Sequence, residues 1–164
     1  MGLSLLAIPA WCGHTLAADQ QKALASWLAQ HAEYRAATDS DCQCEDDIRQ
    51  MRAGYGDPKE AVPDYHPYRA TGDFNSDGAE DFAVILIDGH LQTANFTLVV
   101  FNGTVTNRPA APAFIKRGLH RSDALFYGPP RTKPSPLLVG PFESDSGFLL
   151  VPNRGTYKIK SAEP

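Results

Sequence analysis

Between Gln20 and Arg35 the apolar side chains Leu24, Trp27 and Leu28, followed by His31, recur at steps of three and four, with Lys22 and Glu33 on other faces. That period predicts an amphipathic helix whose stripe faces a core, with His31 as a packed face residue and not a ligand. A second helix is expected over Asp39–Arg52. It opens with Asp39, Ser40 and Asp41 and continues CQCEDDIRQMR, where Ile48 and Met51 form an apolar edge. The carboxylates Asp41, Glu45, Asp46 and Asp47 fall where a helix N-terminus favours negative charge, so capping and solvation account for them without a second cation. Gly54 should end that helix.

Residues 55–65 (YGDPKEAVPDY) carry two prolines and read as a connector. Beyond them the period changes. Short runs rich in β-branched and aromatic residues recur at His66–Thr71, Asp81–Asp88, Asn95–Asn102, Ala113–Lys116, Ala124–Tyr127, Leu137–Pro141, Gly147–Pro152 and Thr156–Ile159. Asp88-Gly89 and Asn102-Gly103 are turn dipeptides, and Gly128-Pro129-Pro130 interrupts the chain again. Short links favour antiparallel pairing, because parallel strands need long crossovers. The expected fold is α+β: an N-terminal helical pair packed on an antiparallel sheet of about five to seven strands. No internal repeat is visible.

Composition sharpens this picture little. With 164 residues, 43% hydrophobic and 21% charged, the chain is one ordinary globular domain, expected over residues 19–164. Charge is uneven: residues 19–82 hold fourteen Asp/Glu against six Lys/Arg, and residues 83–164 hold five against nine. The basic half has scattered cations and no nucleic-acid-binding motif, so nucleic acid is not an expected partner. Residues 1–18 lack charge and hold a short apolar run, Leu3–Trp11, ahead of Ala17 and Ala18. This pattern resembles a secretory signal peptide, and the run is too short to span a membrane. A periplasmic or secreted location follows as an expectation, with no membrane span in the mature chain. Removal of the leader would take Cys12 and leave Cys42 and Cys44, for which an oxidising compartment invites a disulfide, structural or redox-active.

The segment Gly72–Val84, GDFNSDGAEDFAV, carries the most specific chemistry. Asp73, Asn75, Asp77 and Asp81 stand at positions 1, 3, 5 and 9 of a loop. Calcium takes six to eight hard oxygen ligands, and a loop wrapping one ion presents alternate side chains to it. Gly78 permits the sharp turn, the carbonyl of Ala79 is the expected backbone ligand, and Phe74 should anchor the loop in the core. An EF-hand would need a glutamate at position 12, which is Val84 here, and a strand follows instead of a helix. The residues Gly72-Asp73-Phe74-Asn75, Asp77-Gly78 and Asp81-Phe82-Ala83-Val84 resemble the calcium loop of the FG-GAP and VCBS repeats. That resemblance covers about Tyr68–Leu86 and implies a Ca²⁺ site in a β-loop-β hairpin. It occurs once, which argues against the family's multi-copy propellers. The competing expectation is a turn that binds nothing, since Asp, Asn and Gly favour turns for their own reasons.

No zinc spacing, nucleophile elbow or phosphate loop is present. The expected function is a non-catalytic exported module, stabilised by calcium, that binds a protein or polymer of the envelope or the extracellular space. The alternative is a small periplasmic or secreted hydrolase using the acids of the turn Glu143-Ser144-Asp145-Ser146-Gly147.

Overall fold

The structure is a computed structural model, described here for residues 16–103, 111–127, 136–144 and 146–162. Residues 1–15 of the segment 1–18 expected to be a leader, the Gly128-Pro129-Pro130 break and Asp145 lie outside the described residues.

Helix α1 spans Ala18–Leu28 and is followed by strand β1, Tyr34–Ala36. The helix stops short of Arg35, and its stripe behaves as expected. Leu24 and Trp27 are buried, and the His31 ring stacks on Trp27 at 3.8 Å between centroids while its Nδ1 lies 2.8 Å from the Trp27 carbonyl. Leu16 and Ala17, placed by the sequence pattern in the leader, contribute to the start of this helix: Leu16 is buried in its cluster, and Ala17 donates its amide to Gln20 Oε1 at 2.9 Å.

The second helical segment is broken into α2, Asp39–Cys42, and α3, Glu45–Ala53. Gln43 between them has a left-handed backbone, φ 58°, and is bracketed by a Cys42–Cys44 disulfide. The three residues Glu45, Asp46 and Asp47 occupy the first turn of α3, and Gly54 ends it.

Strands β2 (Arg69–Gly72), β3 (Asp81–Asp88), β4 (Phe96–Phe101) and β5 (Phe114–Leu119) complete a first sheet with β1, all antiparallel. A second antiparallel sheet is a meander of β6 (Ala124–Phe126), β7 (Leu137–Gly140), β8 (Phe148–Asn153) and β9 (Thr156–Ser161). The fold is therefore α+β as expected, but the strands divide into two sheets, nine strands among the described residues, where one sheet of about five to seven had been expected.

That division explains the texture of β3. Every residue from Asp81 to Ile87 is buried, because the sheet is covered on both faces. Phe82, Val84, Leu86, Val99 and Phe101 pack against α1, with Phe82 and Phe101, directly opposite in register, stacked at 4.6 Å. Ala83, Ile85, Ile87, Leu98 and Val100 face the second sheet through Leu125, Leu137, Val139, Leu150 and Tyr157. A continuous apolar run is what a strand needs when neither face is wet, and each such side chain stabilises the fold by roughly 1.5–3 kcal/mol.

The outer edge of β3 is shared by two strands. Tyr34, Arg35 and Ala36 pair with Asp88, Ile87 and Leu86, and Arg69 to Gly72 pair with Val84 to Asp81. Between them Ile85 receives the Ala37 amide on its carbonyl at 3.0 Å and gives its own amide to Tyr68 at 2.8 Å. Both short strands thus run in line along β3, and residues 37–68 leave and rejoin the sheet at one seam beside Ile85.

Candidate functional site

The loop from Asp73 to Asp81 joins β2 to β3, which sit side by side as the two arms of a hairpin. Its backbone is folded by its own side chains. Asp73 accepts the amides of Asp77 at 3.0 Å and Gly78 at 2.9 Å; Asn75 Oδ1 also accepts the Asp77 amide, at 2.9 Å; Asp77 accepts the Ala79 amide at 2.8 Å. Gly78 takes φ +85°, a conformation that an L side chain opposes, so the turn that returns the chain to β3 depends on it.

The loop is pinned at three points. Phe74 is 3% exposed and meets Tyr127 edge to face at 4.7 Å, as an anchor should. Tyr127 also donates its hydroxyl to the Asp73 carbonyl at 3.1 Å, and its ring lies so close over Gly72 that a Cβ there would sit 1.9 Å from Cε1. At the far end Glu80 accepts Gln20 Nε2 of α1 at 3.0 Å, which ties the loop to the helix layer.

Asp81 differs from the other acids because it is fully buried. Its Oδ1 accepts the Gly103 amide at 2.7 Å; its Oδ2 accepts the Phe74 amide at 2.9 Å and lies 3.1 Å from the Tyr157 hydroxyl, which also reaches Asn102 Oδ1 at 2.8 Å. Burial pushes the Asp81 carboxyl above its ordinary value; the bonds from Gly103, Phe74 and Tyr157 pull it back in part, and the charge of Asp77 adds to the rise. Tyr157 is raised as well, by burial and then by Asp81, with Asp77 and Asp73 contributing. The acids of the loop therefore act on one another electrostatically, and through Tyr157 of β9 the last of them is joined to the second sheet.

The donor set is hard oxygen throughout and suits calcium in kind. Each carboxylate oxygen that accepts one amide keeps a further lone pair. As the side chains stand, no three of His, Cys, Asp and Glu among the described residues converge closely enough to hold a metal. Asn75 Nδ2 is directed at Asp77 Oδ2 at 2.9 Å, so a cation would require the Asn75 amide to turn its oxygen inward and Asp77 to follow. Those are exposed side-chain rotations, within reach of a loop whose backbone is already set.

Of the turn 143–147, Glu143 is exposed with φ 51°, and together with Asp47 its charge adds to the effect of burial in raising the Tyr55 hydroxyl. Neither of two neighbouring clefts is lined by Glu143 or by the acids of the 73–81 loop.

Both clefts belong to residues 37–68 and their seam. One, of about 530 Å³, is lined by Asp39, Ser40, Glu45, Ile48, Arg49, Arg52 and Ala53; the other, of about 380 Å³, lies across Ala37–Ser40 from His66, Tyr68 and Arg69. Between them stands a charged cluster that sequence reasoning did not find. Asp39 receives Arg52 at 2.8 Å, and His66 Nδ1 lies 2.8 and 2.9 Å from its two oxygens. Arg52 also clamps the Tyr65 carbonyl through Nε at 3.0 Å and a terminal nitrogen at 2.8 Å. These partners are widely separated in sequence, and no spacing pattern could have joined them.

No helix of the described residues is long and apolar enough to cross a membrane. The chain matches no protein-family model, no curated protein and no solved structure.

Proposed function

We propose that this chain is an exported, non-catalytic module in which Ca²⁺ bound by the 73–81 loop stabilises a scaffold for recognition of an envelope or extracellular protein or polymer. Asp73, Asn75, Asp77 and Asp81 would supply side-chain oxygens and Ala79 its carbonyl, in the manner of an FG-GAP or VCBS loop. The observation that carries this reading is the position of Asp81: a buried carboxylate, raised by burial, at the end of an exposed loop bearing the carboxylates of Asp73, Asp77 and Glu80. A divalent cation there offsets both the mutual repulsion and the cost of keeping Asp81 ionised. Millimolar calcium outside the cytoplasm matches a site of modest affinity. Because Asp81 also meets Tyr157, the cation would act on the contact between the two sheets as well as on the loop.

Isothermal titration with Ca²⁺ and thermal melting in excess chelator, on wild type and an Asp73→Ala/Asp77→Ala double variant, test this. The expected outcome is saturable binding and a rise in Tm with calcium for wild type alone, and little response to Mg²⁺. Equal heats and equal melting from both proteins would overturn it.

A further inference from the structure

The smaller cleft, at the seam beside Ile85, has a charge balance that points to a ligand. Around it Asp41 is held bidentately by Arg35 at 2.6 and 2.9 Å, and Asp39 is held by Arg52. Those acids and bases cancel in pairs. Arg69, which lines the cleft, is left over: its side chain makes no ion pair or hydrogen bond among the described residues, and its Nε is buried without a partner. A buried donor on a permanently charged group is costly to leave unmade, and in native proteins it usually meets water or an ion.

The rest of the lining is of matching kind. His66 has Nδ1 committed to Asp39, while Nε2 makes no hydrogen bond among the described residues. The Thr38 and Ser40 hydroxyls are 2.9 Å apart on the opposite wall. From these residues we propose that the cleft binds a phosphate group, as inorganic phosphate or a small phosphate monoester. The Arg69 guanidinium pairs with two of its oxygens, a geometry guanidinium favours over a point charge. The imidazole, oriented by Asp39, meets a third oxygen. Near neutral pH a phosphate carries both an O–H and bare oxygens, and its O–H can donate to Nε2, the ring giving its own proton to Asp39 through Nδ1. The volume, about 380 Å³, exceeds what the anion alone needs and leaves room for a short organic group against Ala37 and Tyr68. Asp39 also lines the cleft and would repel the anion were its charge not paired with Arg52 and its oxygens not turned to His66 Nδ1.

Titration of the full chain with inorganic phosphate in calcium-free, chelator-containing buffer at constant ionic strength, followed by amide and imidazole NMR, tests this independently of the calcium loop. Saturable shifts confined to residues 37–40 and 66–69 are expected, with sulfate, which carries no proton, binding more weakly. Arg69→Gln should weaken phosphate binding about tenfold or more, the loss of a charge-assisted bond, while Arg69→Lys should retain part of it. His66→Gln is the second variant should Arg69→Gln fail to fold, and it should weaken phosphate but not sulfate. Non-saturating shifts, shifts centred on the lysines of β5 and β9, equal response to sulfate, or wild-type affinity in the variants would each overturn the assignment.

Discussion

Replacing Asp81 tests how much of the fold hangs on one buried carboxylate. Asp81→Ala leaves the amides of Phe74 and Gly103 buried without acceptors, while the Tyr157 hydroxyl keeps Asn102. At roughly 1–3 kcal/mol for each orphaned donor, less the relief of no longer burying a carboxylate, the net loss is about 2–4 kcal/mol. Asp81→Asn keeps the shape but turns an NH₂ toward one of the two amides, for about 1–3 kcal/mol. The pH dependence separates charge from hydrogen bonding. Since the folded-state pKa of Asp81 is raised, its contribution is fully present below the unfolded value near 3.8 and is lost as pH rises through the folded value. Wild type in chelator should therefore lose stability on that account as pH rises above the unfolded value near 3.8 and through the raised folded value, and Asp81→Asn should lack this component. Urea denaturation followed by tryptophan fluorescence, with unchanged m-values, measures both. An Asp81→Ala protein within about 0.5 kcal/mol of wild type, or an Asp81→Asn protein with the wild-type pH slope, would refute the reasoning.

Two smaller perturbations bear on the frame around the site. Gly72→Ala drives a methyl into the Tyr127 ring and should cost about 1–3 kcal/mol in chemical denaturation, and clearly less when made in a Tyr127→Ser background; an unchanged midpoint in the single variant would contradict the close approach. Arg35→Ala releases Asp41, whose carboxyl the guanidinium holds well below the usual range. Its pKa should rise toward its ordinary value by carboxyl NMR, with Thr38 still holding it partly down. The depressed pKa means that the pair stabilises above about pH 3.8 and fails as pH falls below it, and since Arg35 is 57% exposed the loss in the variant should be only about 0.2–1 kcal/mol.

Much of the strand content was legible because it depends on local chemistry. Asp81–Asp88 is bounded by a turn on each side and filled with β-branched and aromatic residues, and it forms a strand over that range. Strand β1 was not legible: Tyr34-Arg35-Ala36 continues a helical pattern and becomes extended only because the edge of β3 is there to receive it. The division into two sheets was hidden for a similar reason, since alternation says which face a residue takes and not which strand lies beside it. The all-apolar run Phe82–Ile87 did carry a hint, because a strand wet on one face would alternate. In the loop, the oxygen-bearing positions and the Phe74 anchor were readable from spacing. The burial of Asp81 by Gly103 and Tyr157 was not, for the first lies just past β4 and the second on β9, both far along the chain. The Asp39–Arg52–His66 cluster was invisible on the same grounds, its members being joined only by the return of residues 37–68 to the sheet.

That return has an architectural consequence. Strands β1 and β2 behave as a single edge strand cut in the middle, with a cassette inserted at the cut. The cassette holds the disulfide, α2, α3 and the charged cluster, and its two ends supply the walls of the smaller cleft. The three packed layers behind it require only that an edge strand be present along β3, in one piece or two. The length and chemistry of residues 37–68 are therefore constrained at this joint only by the two ends that pair with β3, so that changes within them should leave the register of the layers intact.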